Sequence, residues 1–161
     1  MNNRDLVSMD AEHGVLGALM IKPEMCEEVG AFLGAADFND DDHSMLYNLI
    51  LSCHSKGIRP DPITLSESCE TLPSGNQTMI VAATISRNIP SAANAIRYGK
   101  IVVERAMARR LYFAGQEIME MARRQGDLSS QVAAAQQMLF DLNVIEAVSY
   151  THLTLPTIYS V

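Results

Sequence analysis

A long helix, predicted from about Ala92 to Arg124, is the feature that most constrains what this chain can fold into. Asn88 and Pro90 mark a turn before it, because proline has no N–H group and keeps the preceding residue away from helical geometry. Ser91 or Asn94 can then accept hydrogen bonds from the first free N–H groups of the helix. At 1.5 Å per residue such a helix would be about 50 Å long, which is longer than a small globular head.

A second helical segment follows directly, because Gly126 can end the long helix and Asp127 can begin the next one. Its apolar residues recur at intervals of four, three, four and three residues, the pattern of a helix that packs along another helix. These residues are Leu128, Val132, Ala135, Leu139 and Leu142. Two long helices joined by about two residues must form an antiparallel hairpin.

The hairpin is expected to carry apolar side chains that it cannot cover by itself. Large exposed apolar surfaces are typical of interfaces, so we predict self-association or a partner here. The residues predicted for this surface are Ile118, Leu128, Val132, Leu139 and Leu142. The alternative is that the hairpin folds back onto the rest of the chain and buries the whole stripe.

Nearly every earlier segment also has the apolar spacing of a helix, which predicts an all-α fold. We therefore predict a compact helical head over residues 1–90, followed by a long antiparallel helical hairpin over residues 91–147. The chain has 161 residues, of which 48% are hydrophobic and 19% charged. This length and composition are typical of a globular domain with a substantial core.

Several helix ends in the head are marked by capping residues. Ser8 or Asp10 is expected to begin the first helix, and Gly57 to end the third. Thr64 and Glu67 form a predicted capping box for the fourth helix. The head is therefore expected to contain a series of short helices before the long one.

The last residues differ in kind from the rest of the chain. Residues 149–161 contain no Asp, Glu, Lys or Arg and lose the helical period. We interpret residues 148–161 as a non-native tail, translated from adapter sequence joined to a truncated reading frame. A native linker of unusual composition is the alternative.

The net charge of −7 is unevenly distributed along the chain. Residues 1–95 carry 5 Lys and Arg against 13 Asp and Glu, whereas residues 96–125 carry 7 against 3. An acidic head disfavours nonspecific DNA binding, so DNA contact is expected to be weak or indirect. Arg105, Arg109 and Arg110 could engage phosphate or an acidic partner, and the alternative is a solvated helix face with local ion pairs.

The three cysteines, Cys26, Cys53 and Cys69, form no CxxC pair. Their odd number and the lack of a signal peptide favour the reducing cytoplasm. No apolar run approaches the roughly 20 residues needed to cross a bilayer, so no membrane partner is expected.

The sequence contains no recognisable motif for catalysis or cofactor binding. It has no GxxxxGK(S/T) loop for nucleotide phosphates, no GxSxG and no HExxH. We therefore predict no catalytic, cofactor-binding or metal-binding residues. The acidic run Asp37, Asp40–Asp42 with His43 is the strongest metal candidate, but it precedes a helix, where carboxylates cap N–H groups. A small metal-dependent enzyme is the alternative, and His13 and His54 are interpreted as packing or helix-end residues.

Several segments match one protein family in their residues and in their order along the chain. The segment from Asp10 to Met20 places Glu12, Leu16 and Gly17 on characteristic positions. The further segments are Ala36–Phe38 followed by His43, Pro60–Leu65 with Glu67, Asn88–Asn94, and Glu104-Arg105. Together they cover residues 8–147 and resemble the N-terminal domain of the replicative DnaB-type DNA helicases.

The resemblance implies a partner-binding collar in DNA replication. In this family the hairpins pair, and three pairs form a ring on a hexamer. The expected partners are further copies of the chain, the C-terminal domain of a primase and a helicase loader. Unwinding and ATP hydrolysis, with ATP and Mg²⁺, would belong to a separate RecA-like motor domain, so the chain itself is expected not to be an enzyme.

The sequence departs from the family pattern in two places. Asn39–Asp42 is more acidic than usual, and Thr71–Thr78 differs from the usual glycine-rich connection. Both departures are compatible with a phage or mobile-element relative that has its own primase or loader. The alternative function is a free-standing adaptor or inhibitor that mimics the collar and joins helicase rings.

Overall fold

The structure, a computed structural model, describes the backbone of residues 5–159 and the side chains of residues 5–143. Within this part of the chain, the regular structure is helical apart from one isolated β-bridge between Thr71 and Gln77. The elements are α1 (Met9–Ile21), α2 (Met25–Gly30), a 3₁₀ turn (Ala35–Asp37), α3 (Asp41–Ser55), α4 (Pro62–Ser68), α5 (Thr78–Asn88), α6 (Ala95–Arg123) and α7 (Leu128–Tyr159). The predicted all-α fold is confirmed.

Two of the predicted helix ends have the expected hydrogen bonds. The hydroxyl of Ser8 accepts an N–H from the first turn of α1 at 3.3 Å. At the end of α3, the N–H of Gly57 donates to the carbonyl of His54 at 3.0 Å, and that of Ile58 donates to Cys53 at 2.9 Å. Gly57 has a φ of 71°, which a residue with a side chain rarely adopts, so this helix end requires a glycine.

The start of α4 differs from the prediction. Asp61 is the cap, and its Oδ1 accepts the N–H of Thr64 at 2.8 Å. Pro62 occupies the first position of the helix, where its missing N–H has no cost. The capping box predicted for Thr64 and Glu67 is therefore wrong, because the helix begins earlier than the apolar pattern indicated.

The chain divides into two compact units, residues 1–106 and residues 107–161. The first turns of α6 belong to the first unit, where Ala95 and Val102 lie in the core. In the second unit, Asp127 caps α7 as predicted, because its Oδ2 accepts the N–H of Ser130 at 3.1 Å.

The backbone of α7 continues to Tyr159, past the point where the sequence predicted the hairpin to end. The loss of charged residues after position 148 therefore does not end the helix. The side chains of this segment, including His152, lie outside the described residues. The interpretation of residues 148–161 as a non-native tail stays a prediction.

Helix α1 is the central element of the first unit. It packs against α3 and α5, while α4 also packs against α3 and α5, and α2 packs against α3. Its side chains Val15, Leu16 and Leu19 are fully buried. Tyr47 of α3 is buried as well, and its hydroxyl donates a hydrogen bond to the carbonyl of Leu33 at 2.7 Å. The core therefore buries an aromatic ring without leaving its polar end unpaired.

Two glycines of α1 allow close contact with the end of α5 and the first turn of α6. The ring of Tyr98 lies over Gly14, where an added Cβ would be 2.6 Å from the ring carbon Cδ2. The side chain of Ile89 lies against Gly17, where an added Cβ would overlap Ile89 Cγ1. These glycines are needed because larger residues would push Ile89, just after α5, and the first turn of α6 away from α1.

We predict that Gly17→Ala destabilises the first unit by about 1–3 kcal/mol, because the added methyl group overpacks a closed contact with Ile89. The matched control is Gly30→Ala, where the nearest atom to an added Cβ is the Tyr47 hydroxyl at 4.0 Å. We expect the control to change stability by less than about 0.5 kcal/mol. Chemical denaturation followed by circular dichroism measures both, and equal midpoints for the two variants would contradict the packing described.

Candidate interaction surfaces

A buried carboxylate connects α1 to the start of α3. Glu12 is only 2% exposed, on the same side of α1 as the core residues. Its Oε2 is 2.6 Å from Nδ1 of His43, and its Oε1 accepts the N–H of Asn39 at 2.7 Å. A buried carboxylate is costly unless it has such partners, so these two bonds fix α1 against the segment that begins α3.

The acidic run before α3 has structural roles. Oδ1 of Asp40 accepts the N–H groups of Asp42 at 2.8 Å and of His43 at 3.2 Å, so it caps the helix. The two carboxylate oxygens of Asp42 accept from the N–H of Ser74 at 2.9 Å and from its hydroxyl at 2.5 Å. The interpretation of this run as a helix cap is confirmed, and Asp42 also attaches the loop before α5 to α3.

The environment of these residues affects their titration. Burial acts to raise the pKa of Asp42, but the hydrogen bonds from Ser74 outweigh it and lower the pKa below its usual value. His13 packs edge-on against His43, with ring centroids 4.8 Å apart. Burial, followed by the charge on His43, lowers the pKa of His13. His13 is therefore a packing residue, as predicted.

The network does not form a metal centre. Among the residues that the structure describes, no group of three His, Cys, Asp or Glu side chains could hold a metal ion. The carboxylates of Glu12, Asp40 and Asp42 are each occupied by N–H or O–H donors of the protein.

Sequence analysis did not predict the pairing of Glu12 with His43 or of Asp42 with Ser74. A signal for the first pair was present, since Glu12 lies three and four residues before Val15 and Leu16 and so shares their buried side of α1. A carboxylate on an apolar helix face needs a buried partner, but its spacing does not say which one.

The predicted stripe on α7 is only partly covered. Leu128, Val132 and Leu139 are 66%, 56% and 42% exposed, and together we call them the hairpin stripe. Leu142 of α7 and Ile118 of α6 are half-buried. The structure therefore divides the five predicted interface residues into three exposed ones and two that are partly covered.

The less exposed row of α7 lies beside the hairpin stripe. Gln131, Ala135, Met138 and Leu142 are half-buried, and they recur at intervals of four, three and four residues. The amide of Gln131 reaches back and donates to the carbonyl of Arg124, the residue after α6, at 3.2 Å. This polar contact helps to hold the side of α7 that carries Gln131 inward. The hairpin stripe lies next to that side.

Three arginines of α6, which the sequence offered for phosphate or an acidic partner, interact with other groups. Arg105 lies 4.0 Å from the carboxylate of Glu104, and its side chain is 25% exposed. Arg109 and Arg110 also have hydrogen-bonding, ring or electrostatic contacts with other groups. These observations favour the interpretation of the basic segment as a solvated helix face with local pairs over a dedicated phosphate site.

Comparison with known proteins identifies the family. The sequence profile described as "DnaB-like helicase N terminal domain" matches residues 4–104, which is more than half of the chain. This chain belongs to that family. The predicted resemblance to the N-terminal domain of replicative DnaB-type helicases is therefore confirmed.

The chain is similar to several replicative helicases. It is 31% identical over 150 residues to the replicative DNA helicase DnaB of Leifsonia xyli, covering 89% of this chain and 32% of that protein. It is 32% identical over 117 residues to DnaB of Buchnera aphidicola, covering 70% of this chain and 25% of that protein. The DnaB-like chain thus spans about a third or less of the length of the curated relatives it matches.

Solved structures show the same fold. The N-terminal domain of DnaB helicase from Mycobacterium tuberculosis superposes with a TM-score of 0.76 at 26% identity, covering 86% of this chain and 99% of that one. The N-terminal domain of DnaB from Helicobacter pylori, a structure described together with its interactions with primase, has a TM-score of 0.61 at 21% identity. It covers 71% of this chain and 91% of that one.

Among the described residues, no helix combines the length and the apolar character needed to span a bilayer.

We predict that Glu12→Ala destabilises the DnaB-like head by about 2–4 kcal/mol, because it removes the acceptor of the buried His43 ring and of the Asn39 N–H. Glu28→Ala, at an exposed position of α2, is the control and should change stability by less than about 0.5 kcal/mol. Urea unfolding at neutral pH measures both. A midpoint for Glu12→Ala that matches the control would show that the network does not hold the head together.

Proposed function

We propose that this chain is the N-terminal oligomerisation and primase-binding domain of a replicative DNA helicase. The observation that carries the proposal is the hairpin stripe, three large apolar side chains exposed on one side of α7 in a chain of the DnaB-like family. When a second helix covers water-exposed apolar residues at helical spacing, the burial of their surface lowers the free energy of the associated state. The hairpin is therefore the surface through which copies of the chain associate.

Symmetry favours pairing of two identical hairpins as the first step. In a two-fold interface the same patch serves both copies, so one stripe per chain suffices. Three such pairs would then build the hexameric ring expected from the family resemblance. The residues assigned to the paired surface are Leu128, Val132 and Leu139, with Ile118 and Leu142 at its partly covered edge.

In the whole protein, the proposed role of this domain is to couple a primase to the helicase, and not to catalyse a reaction. The matched relatives are replicative helicases of which this chain covers 32% and 25%. Unwinding and ATP hydrolysis, with ATP and Mg²⁺, belong in this proposal to a motor domain outside the chain. The helicase would act in the cytoplasm, and the acidic head would contribute little direct DNA contact.

A primase is the proposed partner of the assembled domain. The support is the fold shared with the Helicobacter pylori domain, whose structure is described together with its interactions with primase. A dimer or ring offers composite surfaces that a single chain lacks, so association and primase binding are expected to be linked. A helicase loader is a further proposed partner.

We predict that Leu139→Asp weakens self-association at least tenfold, because the carboxylate would be desolvated in the paired surface. The stability of the isolated chain should change by less than about 1 kcal/mol, since Leu139 is 42% exposed. Sedimentation equilibrium over a range of concentrations measures association, and thermal unfolding of dilute protein measures stability.

The control for this variant is Phe140→Asp. Phe140 is 59% exposed, but it lies one residue further along α7 and so faces a different side of the helix. We expect it to leave association unchanged. Monomeric wild-type protein at high concentration, or equal weakening by the two variants, would contradict the assignment of the hairpin stripe.

A second experiment tests primase binding. We expect the C-terminal domain of the primase from the same genome to bind the wild-type chain with micromolar or tighter affinity in calorimetric titration. Leu139→Asp should reduce this affinity in proportion to its loss of association. A fully associated wild-type chain that ignores this primase domain would overturn the partner assignment while leaving the oligomerisation role in place.

A further inference from the structure

An open groove of about 460 Å³ lies between α4 and α5 in the first unit. Ile63 of α4 and Met79, Ile80 and Ala83 of α5 form its apolar lining. Ile63 and Ile80 are 65% and 57% exposed, and Met79 is 46% exposed. Several large apolar side chains exposed together in a concave surface are typical of a binding site, and methionine adapts readily to different partners.

The shape of the groove suits a helix. Ile80, Ala83, Thr84 and Arg87 line it at intervals of three, one and three residues, which places them along one side of α5. An extended peptide gains affinity from free main-chain groups at a sheet edge, but the walls here are helices, whose main-chain groups pair internally. A helix laid between α4 and α5 would instead pack its side chains between theirs.

The charges at the groove indicate what kind of helix fits. Arg87 lies near the C-terminal end of α5 and is exposed, and no carboxylate of the described residues is within ion-pair distance of it. Asp61, which also lines the groove, already uses Oδ1 to cap α4. Asp61 keeps its negative charge but is half-buried at the start of α4, whereas Arg87 is exposed. The guanidinium of Arg87 is therefore the exposed positive charge that an occupant would meet, and it is complementary to a carboxylate.

We infer that the groove between α4 and α5 binds an amphipathic helix of a partner protein, with an acidic residue of that helix paired to Arg87. Met79 to Arg87 spans about 12 Å, so two turns of the partner helix would contact α5. The partner buries an apolar stripe on Ile63, Met79 and Ile80. This inference is independent of the hairpin stripe and of primase binding.

Two designed helical peptides test the inference. Both have about 15 residues and the same leucine stripe, and they differ in carrying Glu or Lys beside it. The chain is labelled at its Ile and Met methyl groups and titrated with each peptide by NMR. We expect the signals of Ile63, Met79 and Ile80 to move, and the Glu peptide to bind at least about threefold more tightly than the Lys peptide.

Three variants make the test specific. Arg87→Glu should reverse the preference between the two peptides. Ile63→Asp should abolish binding, whereas Ile58→Asp, at a position that is 47% exposed and does not line the groove, should bind normally. All three positions are exposed, so unchanged thermal unfolding is expected and verifies that the fold is intact.

Several outcomes would overturn the inference. Binding without a charge preference, or binding that survives Ile63→Asp, would exclude this groove as the site of an acidic amphipathic helix. Signals of Ile63 and Ile80 that move with the concentration of the chain alone would identify a second copy as the occupant. Loss of self-association in Leu139→Asp with normal peptide binding would leave this inference standing, so its failure and that of the proposed function are distinguishable.

Discussion

The buried carboxylate of Glu12 is the interaction on which the arrangement of the head depends. It lies on the apolar side of the central helix, where an unpaired charge would be prohibitively costly. Among the residues that the structure describes, its hydrogen-bond partners come from the segment from Asn39 to His43, so α1 and the start of α3 must meet at one register. Asp42 extends the same network to Ser74, and thereby fixes the loop that leads into α5.

The two units of the chain differ in how much of their apolar surface is covered. In the first unit, close glycine contacts on α1 and a core of buried side chains cover most of the apolar surface, apart from the groove between α4 and α5. In the second unit, one row of α7 is partly covered and the neighbouring row, the hairpin stripe, is exposed.

The hairpin stripe and the groove between α4 and α5 differ in chemistry. The stripe is a row of apolar side chains on a long helix, suited to an identical helix of a second copy. The groove is concave, contains a methionine and carries an available arginine, which suits a foreign helix with an acidic residue. In the two proposals made for it, one DnaB-like domain presents one surface for assembly and another for a partner.

The sequence by itself determined the helices and most of their capping residues, because apolar spacing and capping are local properties of a few consecutive residues. The family was identified from the resemblance of several segments and of their order. The sequence placed the helix start at Asp127 and the helix end at Gly57 correctly, and it gave Ser8 or Asp10 for the first helix, where the cap is Ser8. It missed the cap at Asp61. The tertiary structure alone decided that Glu12 pairs with His43, 31 positions away. It also decided that Gln131 faces inward while Val132 is exposed. The spacing of apolar residues within α7 does not fix the rotation of the helix about its own axis. Only packing against other elements chooses among such rotations, and that choice defines the surfaces through which the domain acts.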